Sequence, residues 1–165
     1  MWQRFSNPWA DRSAPLTLYH GTSSRDALLA LQKGFRPRKR PLNLTDSISV
    51  ASGYAAIRAW ENDEPYGVVL AVTVPSSSLI PDDMAYLFLC FVDHSKFLVT
   101  RRQLVATRTC RHADTGDASL AEIGSAVYSG TVPPSAVSVV RKVRAKDHPG
   151  YPKDQRAIVR RAHSL

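Results

Sequence analysis

The eight residues Gly67-Val-Val-Leu-Ala-Val-Thr-Val74 carry no charge and a single hydroxyl. A strand with one face in water alternates apolar and polar residues. A run that is apolar throughout and rich in β-branched side chains is expected of a strand buried on both faces. The run is too short to cross a membrane, which takes about 20 residues. It is bounded by Pro65 and Pro75, so it also cannot grow into a long helix. The rest of the chain must therefore supply the cover for a central strand.

The candidates for that cover lie on both sides of it. Upstream, Leu16 to Tyr19 reads as a short strand that stops at a turn, His20-Gly21-Thr22. A helix then starts at Ser23 or Ser24. Ser23 is a suitable cap, Asp26 puts an acid in the positive first turn, and Gly34 is a natural stop. Ala27, Leu28 and Leu31 mark its buried face. Leu42 to Thr45 reads as a second short strand, and Asp46 or Ser47 can cap a second helix that ends at Glu61-Asn-Asp-Glu-Pro65. On that helix Val50, Tyr54 and Ile57 share one face, flanked by Ala51 and Ala55.

Downstream, Pro75 to Pro81 turns the chain. Tyr86 to Val92, Leu98 to Thr107, Ala126 to Ser129 and Ala136 to Val143 are strand candidates, and Arg111 to Ser119 reads as a loop. Helices early and strands late predict an α+β class with a compact, split antiparallel sheet. A length of 165 residues suits a single domain. Residues 1–15, with Trp2, Phe5 and Trp9, form an arm expected to pack on a core of residues 16–140, and a basic segment covers residues 141–165.

The N-terminus lacks the apolar stretch of a secretory signal. Cys90 and Cys110 are too few and too far apart for a disulfide framework or a zinc site, and His20, His94, His112, His148 and His163 show no metal-ligand spacing. The expectation is a cytoplasmic protein without a metal and without a membrane span.

Charge is uneven. Of the net +8, residues 141–165 carry +6, and a compact cluster, Arg36-Pro-Arg-Lys-Arg40, sits between the first helix and the second strand. Arg36, Arg38, Lys39 and Arg40 are candidate phosphate contacts for DNA, RNA or another anionic macromolecule; the plainer alternative is a solvated loop and tail.

The residues around His20 suggest more specific chemistry. Gly21 lacks a Cβ, so a ligand can approach its backbone closely. A histidine beside such an edge can hold one flat polar group; the plainer reading makes His20 the partner of a backbone carbonyl. For Tyr54 the plainer reading is a core tyrosine. No Gly-x-Ser-x-Gly elbow is present to suggest a serine hydrolase.

Taken in order, Tyr19-His-Gly-Thr22, Leu44-Thr-Asp46 with Tyr54-Ala55, the apolar strand, and Ser125-Ala-Val-Tyr-Ser-Gly-Thr-Val-Pro-Pro134 resemble the ADP-ribosyltransferase family, in the branch whose first motif contains histidine. The resemblance covers roughly residues 16–140. It implies an ADP-ribosyltransferase-like split sheet with a cleft between the His20 strand and the late strand. It also implies NAD as substrate and release of nicotinamide to a macromolecular acceptor. His20, Gly21, Thr22 and Ser23 would hold the amide and ribose, with Asn43 a further expected NAD contact, Tyr54 would stack on the nicotinamide, and His20 would count with the carboxylate among the catalytic residues.

This chain departs from the family pattern at two positions. Asn43 stands where many members have an aromatic residue. Counting back from the double proline puts the family's catalytic glutamate at Ser125; the nearest acid is Glu122. An offset of three reverses the face of a strand, and a bulge at Gly124 would restore it. Glu122 is thus the expected catalytic carboxylate, with Asp114 and Asp117 as lesser choices in a loop over the cleft. The alternatives are a catalytically inactive module binding nucleic acid through its basic surfaces and, ranked last, an RNA 2′-phosphotransferase.

Overall fold

In the computed structural model, the described residues are 14–36, 41–85 and 113–147. Residues 1–13 of the N-terminal arm, Arg38, Lys39, Arg40, the strand candidates at 86–92 and 98–107, both cysteines and the chain after residue 147 lie outside them, while Pro15, the last residue of the expected arm, already opens the sheet. The described chain forms an α+β structure with one six-stranded antiparallel sheet. In chain order the elements are β1 (Pro15–Ser23), α1 (Ser24–Lys33), β2 (Leu42–Thr45), α2 (Ile48–Glu61), β3 (Tyr66–Pro75), β4 (Leu79–Pro81), α3 (Gly116–Ile123), β5 (Ser125–Tyr128) and β6 (Val137–Arg144). The strand order is β4-β5-β2-β1-β3-β6.

β3 is interior, as its composition predicts, between β1 and β6. One face joins the main core with Leu18, Leu44 and Ala126, through Val68, Leu70, Val72 and Val74. Val69 instead packs with Ala51 and Ala55 of α2. The capping signals hold, but the expected buried face of α1 does not: Ala27 is buried with Ala30, while Leu28 is exposed. The Ser23 hydroxyl accepts from the Asp26 N–H at 3.1 Å, Gly34 ends α1 at φ 69°, and the Ser47 hydroxyl caps α2 through the Val50 N–H.

Further local expectations are corrected. β1 does not stop at Tyr19 but runs to Ser23, so His20, Gly21 and Thr22 are strand residues; nine pairings with β3, from Pro15–Pro75 to Ser23–Gly67, hold them straight. Of the Val50–Tyr54–Ile57 stripe on α2 only Val50 is buried. The buried face is otherwise built from small residues, among them Ala51, Ala55 and Ala59, while Tyr54 stays exposed. The chain after Pro75 makes a 3-10 turn at Ser76–Ser78 and then an edge strand, β4. Residues 116–119 are not loop but the first half of α3. The basic segment also begins inside the sheet, since β6 continues to Arg144.

Two glycines set the depth at which α2 lies. A Cβ on Gly21 would stand 1.9 Å from the Ala51 carbonyl oxygen, and one on Gly67 would stand 1.9 Å from that of Ala55. The helix backbone rests directly on β1 and β3, which only glycine permits. Among the described residues no helix is long and apolar enough to cross a membrane.

Candidate functional site

The sheet is nearly parted in its middle. β1 and β2 meet at one residue pair, Tyr19 with Thr45, whereas β1 and β3 pair along their whole length. Two three-stranded halves therefore join at a narrow seam. His20 fastens it: its Nδ1 lies 2.9 Å from the Asn43 carbonyl oxygen on β2. A carbonyl only accepts, so Nδ1 carries the hydrogen and donates, which leaves Nε2 as an acceptor. The plainer reading of His20 is thus correct for one ring nitrogen, and among the described residues the second nitrogen has no hydrogen-bond partner. Phe35 meets the imidazole edge-on, with centroids 5.4 Å apart. Enclosure by these neighbours pushes the imidazole below its ordinary value of 6.5. The Asn43 carbonyl and Asp26 pull the other way, and Arg58 adds to the lowering. The ring is neutral at pH 7.

An open cavity of about 1120 Å³ lies over this seam. That is just above the common range of roughly 300–1,000 Å³ for small-molecule pockets, so it suits a ligand as large as a dinucleotide. Tyr19, His20, Gly21 and Thr22 of β1 and Asn43 and Thr45 of β2 line it. So do Phe35 and Arg36, after α1, and Tyr54, Arg58 and Asn62 of the α2 region. Asp82, Ser125 and Val127, from the β4–β5 side of the sheet, line it too.

Tyr54 is 47% exposed, which removes it from the core and offers its ring to the cavity. Partial burial raises its hydroxyl above the usual tyrosine range, and the Asp82 charge raises it further, so it stays protonated. Asn43 lines the cavity and is exposed, with its amide nitrogen 3.4 Å from the Asp82 carboxylate.

Other expected residues sit elsewhere or are used otherwise. Ser23 is 1% exposed, off the cavity wall, and its hydroxyl is committed to capping α1. Gly21 does line the cavity, but the side of it that a Cβ would occupy is filled by α2. Glu122 is not on a strand. It lies exposed near the end of α3, away from the cavity wall. Gly124 is no bulge; it ends that helix in the left-handed conformation at φ 72°, its N–H bonded to Leu120 O. Helix geometry has replaced the extended chain on which the Glu122 assignment rested. Asp114 is exposed at a bend and Asp117 lies in the first turn of α3, both off the wall. Of the basic cluster, Arg36 reaches the cavity and the other three lie outside the described residues.

Sequence reasoning missed Asp82. It follows β4 directly and is 2% exposed, within a buried polar hub that joins β2, β4, α3 and β5. The Ser125 hydroxyl donates to its Oδ2, the Ala85 N–H donates to Oδ1 at 2.9 Å, and its own N–H donates to the Ser119 hydroxyl. Ser119 in turn donates to the Ser125 carbonyl at 2.6 Å, and Thr45 donates to the Gly124 carbonyl at 2.6 Å. The one sequence signal was an acid after Ile80-Pro81, in a stretch read as a turn.

Compared with protein-family models, curated proteins and solved structures, the chain has no match.

Proposed function

We propose that this chain is an NAD-dependent ADP-ribosyltransferase acting on an anionic macromolecule, nucleic acid or an acidic protein surface, and that its parted sheet is of the ADP-ribosyltransferase type. The observation that carries the reading is the seam between β1 and β2, with His20 fixed across it and the half-exposed Tyr54 ring on the wall of the same cavity. A neutral imidazole held by one nitrogen offers the other to a ribose hydroxyl. A protonated tyrosine ring offers a flat face to nicotinamide, and Thr22 and Asn43 supply hydrogen-bonding groups nearby. Arg36 and Arg58 put positive charge on the walls, where a diphosphate and an anionic acceptor would both be drawn.

The chemistry asked of these groups is positional. The bond between the nicotinamide nitrogen and C1′ of the ribose breaks, and its electron pair goes to the ring nitrogen. Positive charge passes to the ribose, an acceptor oxygen or nitrogen bonds to C1′, and the acceptor's proton leaves to solvent. Holding the amide and ribose still while the acceptor approaches converts this into an effectively unimolecular step.

One observation favours a second reading, a nucleic-acid-binding module without catalysis. Ser125 occupies the position at which the resemblance expects glutamate, and Glu122 is off the wall. The two readings separate in one experiment: incubation with NAD and either nucleic acid or protein acceptors, followed by nicotinamide quantitation and intact-mass measurement of the acceptor. A transferase releases nicotinamide and adds one ADP-ribose mass. Nucleic-acid binding with no nicotinamide release would establish the module instead.

A further inference from the structure

β4 runs antiparallel to β5, with Pro81 opposite Ala126, so the next residue, Asp82, comes beside Ser125. This brings a carboxylate from 43 residues away to the strand position that lacks one. The carboxylate is held at three points: Oδ2 by the Ser125 hydroxyl and, more weakly, the Asn43 amide, and Oδ1 by the Ala85 N–H. All three donors are neutral. Among the described residues no cationic side chain forms an ion pair with Asp82. A buried charge is costly to hold, and neutral donors fix its position without cancelling it. Asp82 thus brings a carboxylate without a cationic partner among the described residues to the cavity it lines, where it acts on Tyr54.

Capping the helical turn at residues 83–85 explains one carboxylate oxygen. It does not explain why the second is held against Ser125 and Asn43, two further residues of the cavity lining.

We propose that Asp82 is the carboxylate of this site, set by Ser125 and Asn43 to stabilise the positive charge that develops on the ribose as the nicotinamide bond breaks. This rests on the transferase reading above. Asp82 forms no bond to C1′. Nicotinamide leaves with the bonding electron pair, the acceptor supplies the new bond, and the acceptor's proton goes to solvent. The role is a preorganised electrostatic one, and Ser125 acts as a positioning residue through the carboxylate.

The test compares wild type, Asp82→Asn, Ser125→Ala, Glu122→Gln and the relocated pair Asp82→Ser/Ser125→Asp. Calorimetry with NAD, nicotinamide release and thermal melting are measured on each. Asparagine keeps an oxygen for the Ala85 N–H and removes the charge; its amide nitrogen replaces Oδ2, so the Ser125 hydroxyl must turn to donate to the Leu44 carbonyl instead, and melting reads the cost of that exchange. Asp82→Asn is expected to lower turnover about a hundredfold or more while NAD affinity changes by much less. Ser125→Ala is expected to lower kcat with KM nearly unchanged, the relocated pair to recover part of the loss, and Glu122→Gln to turn over like wild type. Folded Asp82→Asn with wild-type turnover overturns the assignment, as does a large loss in Glu122→Gln alone. If Asp82→Asn does not fold, Ser125→Ala decides: unchanged kcat overturns the proposal. A wild type that neither binds NAD nor releases nicotinamide overturns the transferase reading itself, a different result from an active wild type indifferent to Asp82.

Discussion

Gly21→Ala tests how closely the sheet and α2 are married. The added methyl would stand 1.9 Å from the Ala51 carbonyl oxygen and 2.6 Å from the Ala55 nitrogen, where ordinary contact begins near 3.4 Å. Both atoms are helix backbone, so no side chain can swing aside. The helix must rise by about 1.5 Å, which loosens the dispersion contacts along the Ala51–Ala55–Val69 cluster. Overpacking typically costs about 1–3 kcal/mol, and a clash with backbone on both atoms belongs at the top of that range. At roughly 2–4 °C per kcal/mol for a domain of this size, the melting temperature should fall by about 6–12 °C.

Gly67→Ala meets the Ala55 carbonyl at the same 1.9 Å and should behave alike. One rise of α2 relieves both clashes, so the double variant should lose less than the sum of the two singles, a coupling that a double-mutant cycle reads directly. Tyr54 rides on the same helix, so NAD affinity should weaken in parallel. Thermal and urea unfolding followed by circular dichroism, with calorimetry for NAD, are the assays. A Gly21→Ala protein melting within a degree or two of wild type, or singles that add fully, would refute direct seating of α2 on β1 and β3.

Three further outcomes are expected. His20→Ala should weaken NAD binding by about 1–3 kcal/mol, roughly tenfold to a hundredfold, measured by calorimetry. Because burial lowers the folded His20 pKa below its unfolded 6.5, the unfolded chain takes up a proton first. Stability contributed by neutral His20 is whole above pH 6.5 and is lost as pH falls from there through the folded value, and a pH series of melts should show that loss shrinking in His20→Ala. Glu64→Gln should destabilise the start of α1 by about 0.3–1 kcal/mol, since the Glu64 carboxylate accepts from the Ser24 N–H at 2.7 Å and the Arg25 N–H at 3.2 Å. Partial burial would raise that carboxyl, but these hydrogen bonds outweigh it and hold it below 4.5, so the stabilisation is present above pH 4.5 and fades as pH falls through the lowered value; urea midpoints at pH 7 and pH 3 check it. Neutralising Arg36, Arg38, Lys39 and Arg40 should reduce the slope of log K against log salt for nucleic acid by about 0.9 per lost phosphate contact on duplex, or about 0.7 on single strands. An unchanged slope would leave the cluster as a solvated loop.

The residues alone determined what short-range chemistry controls. Ser23 with Asp26, Gly34 and Ser47 carry their capping signals within a few positions, so the ends of α1 and the start of α2 were readable. The apolar run after Gly67 declared an interior strand because no solvated strand could be so uniformly apolar. His20 and Tyr54, which prove to line one cavity, could be singled out because they lie in short motifs.

Long-range pairing decided the rest. His20-Gly-Thr22 looks like a turn by itself and becomes strand only because β3 is there to pair with it. Gly124 is equally compatible with a strand bulge or a helix stop, since glycine tolerates both; the fold chose the helix stop and took Glu122 off the cavity with it. Asp82 had no legible role beside Pro81. It acquired one only when β4 docked on β5 and Ser125 donated to it across 43 residues of chain, because what a carboxylate can do depends on who its neighbours are in space.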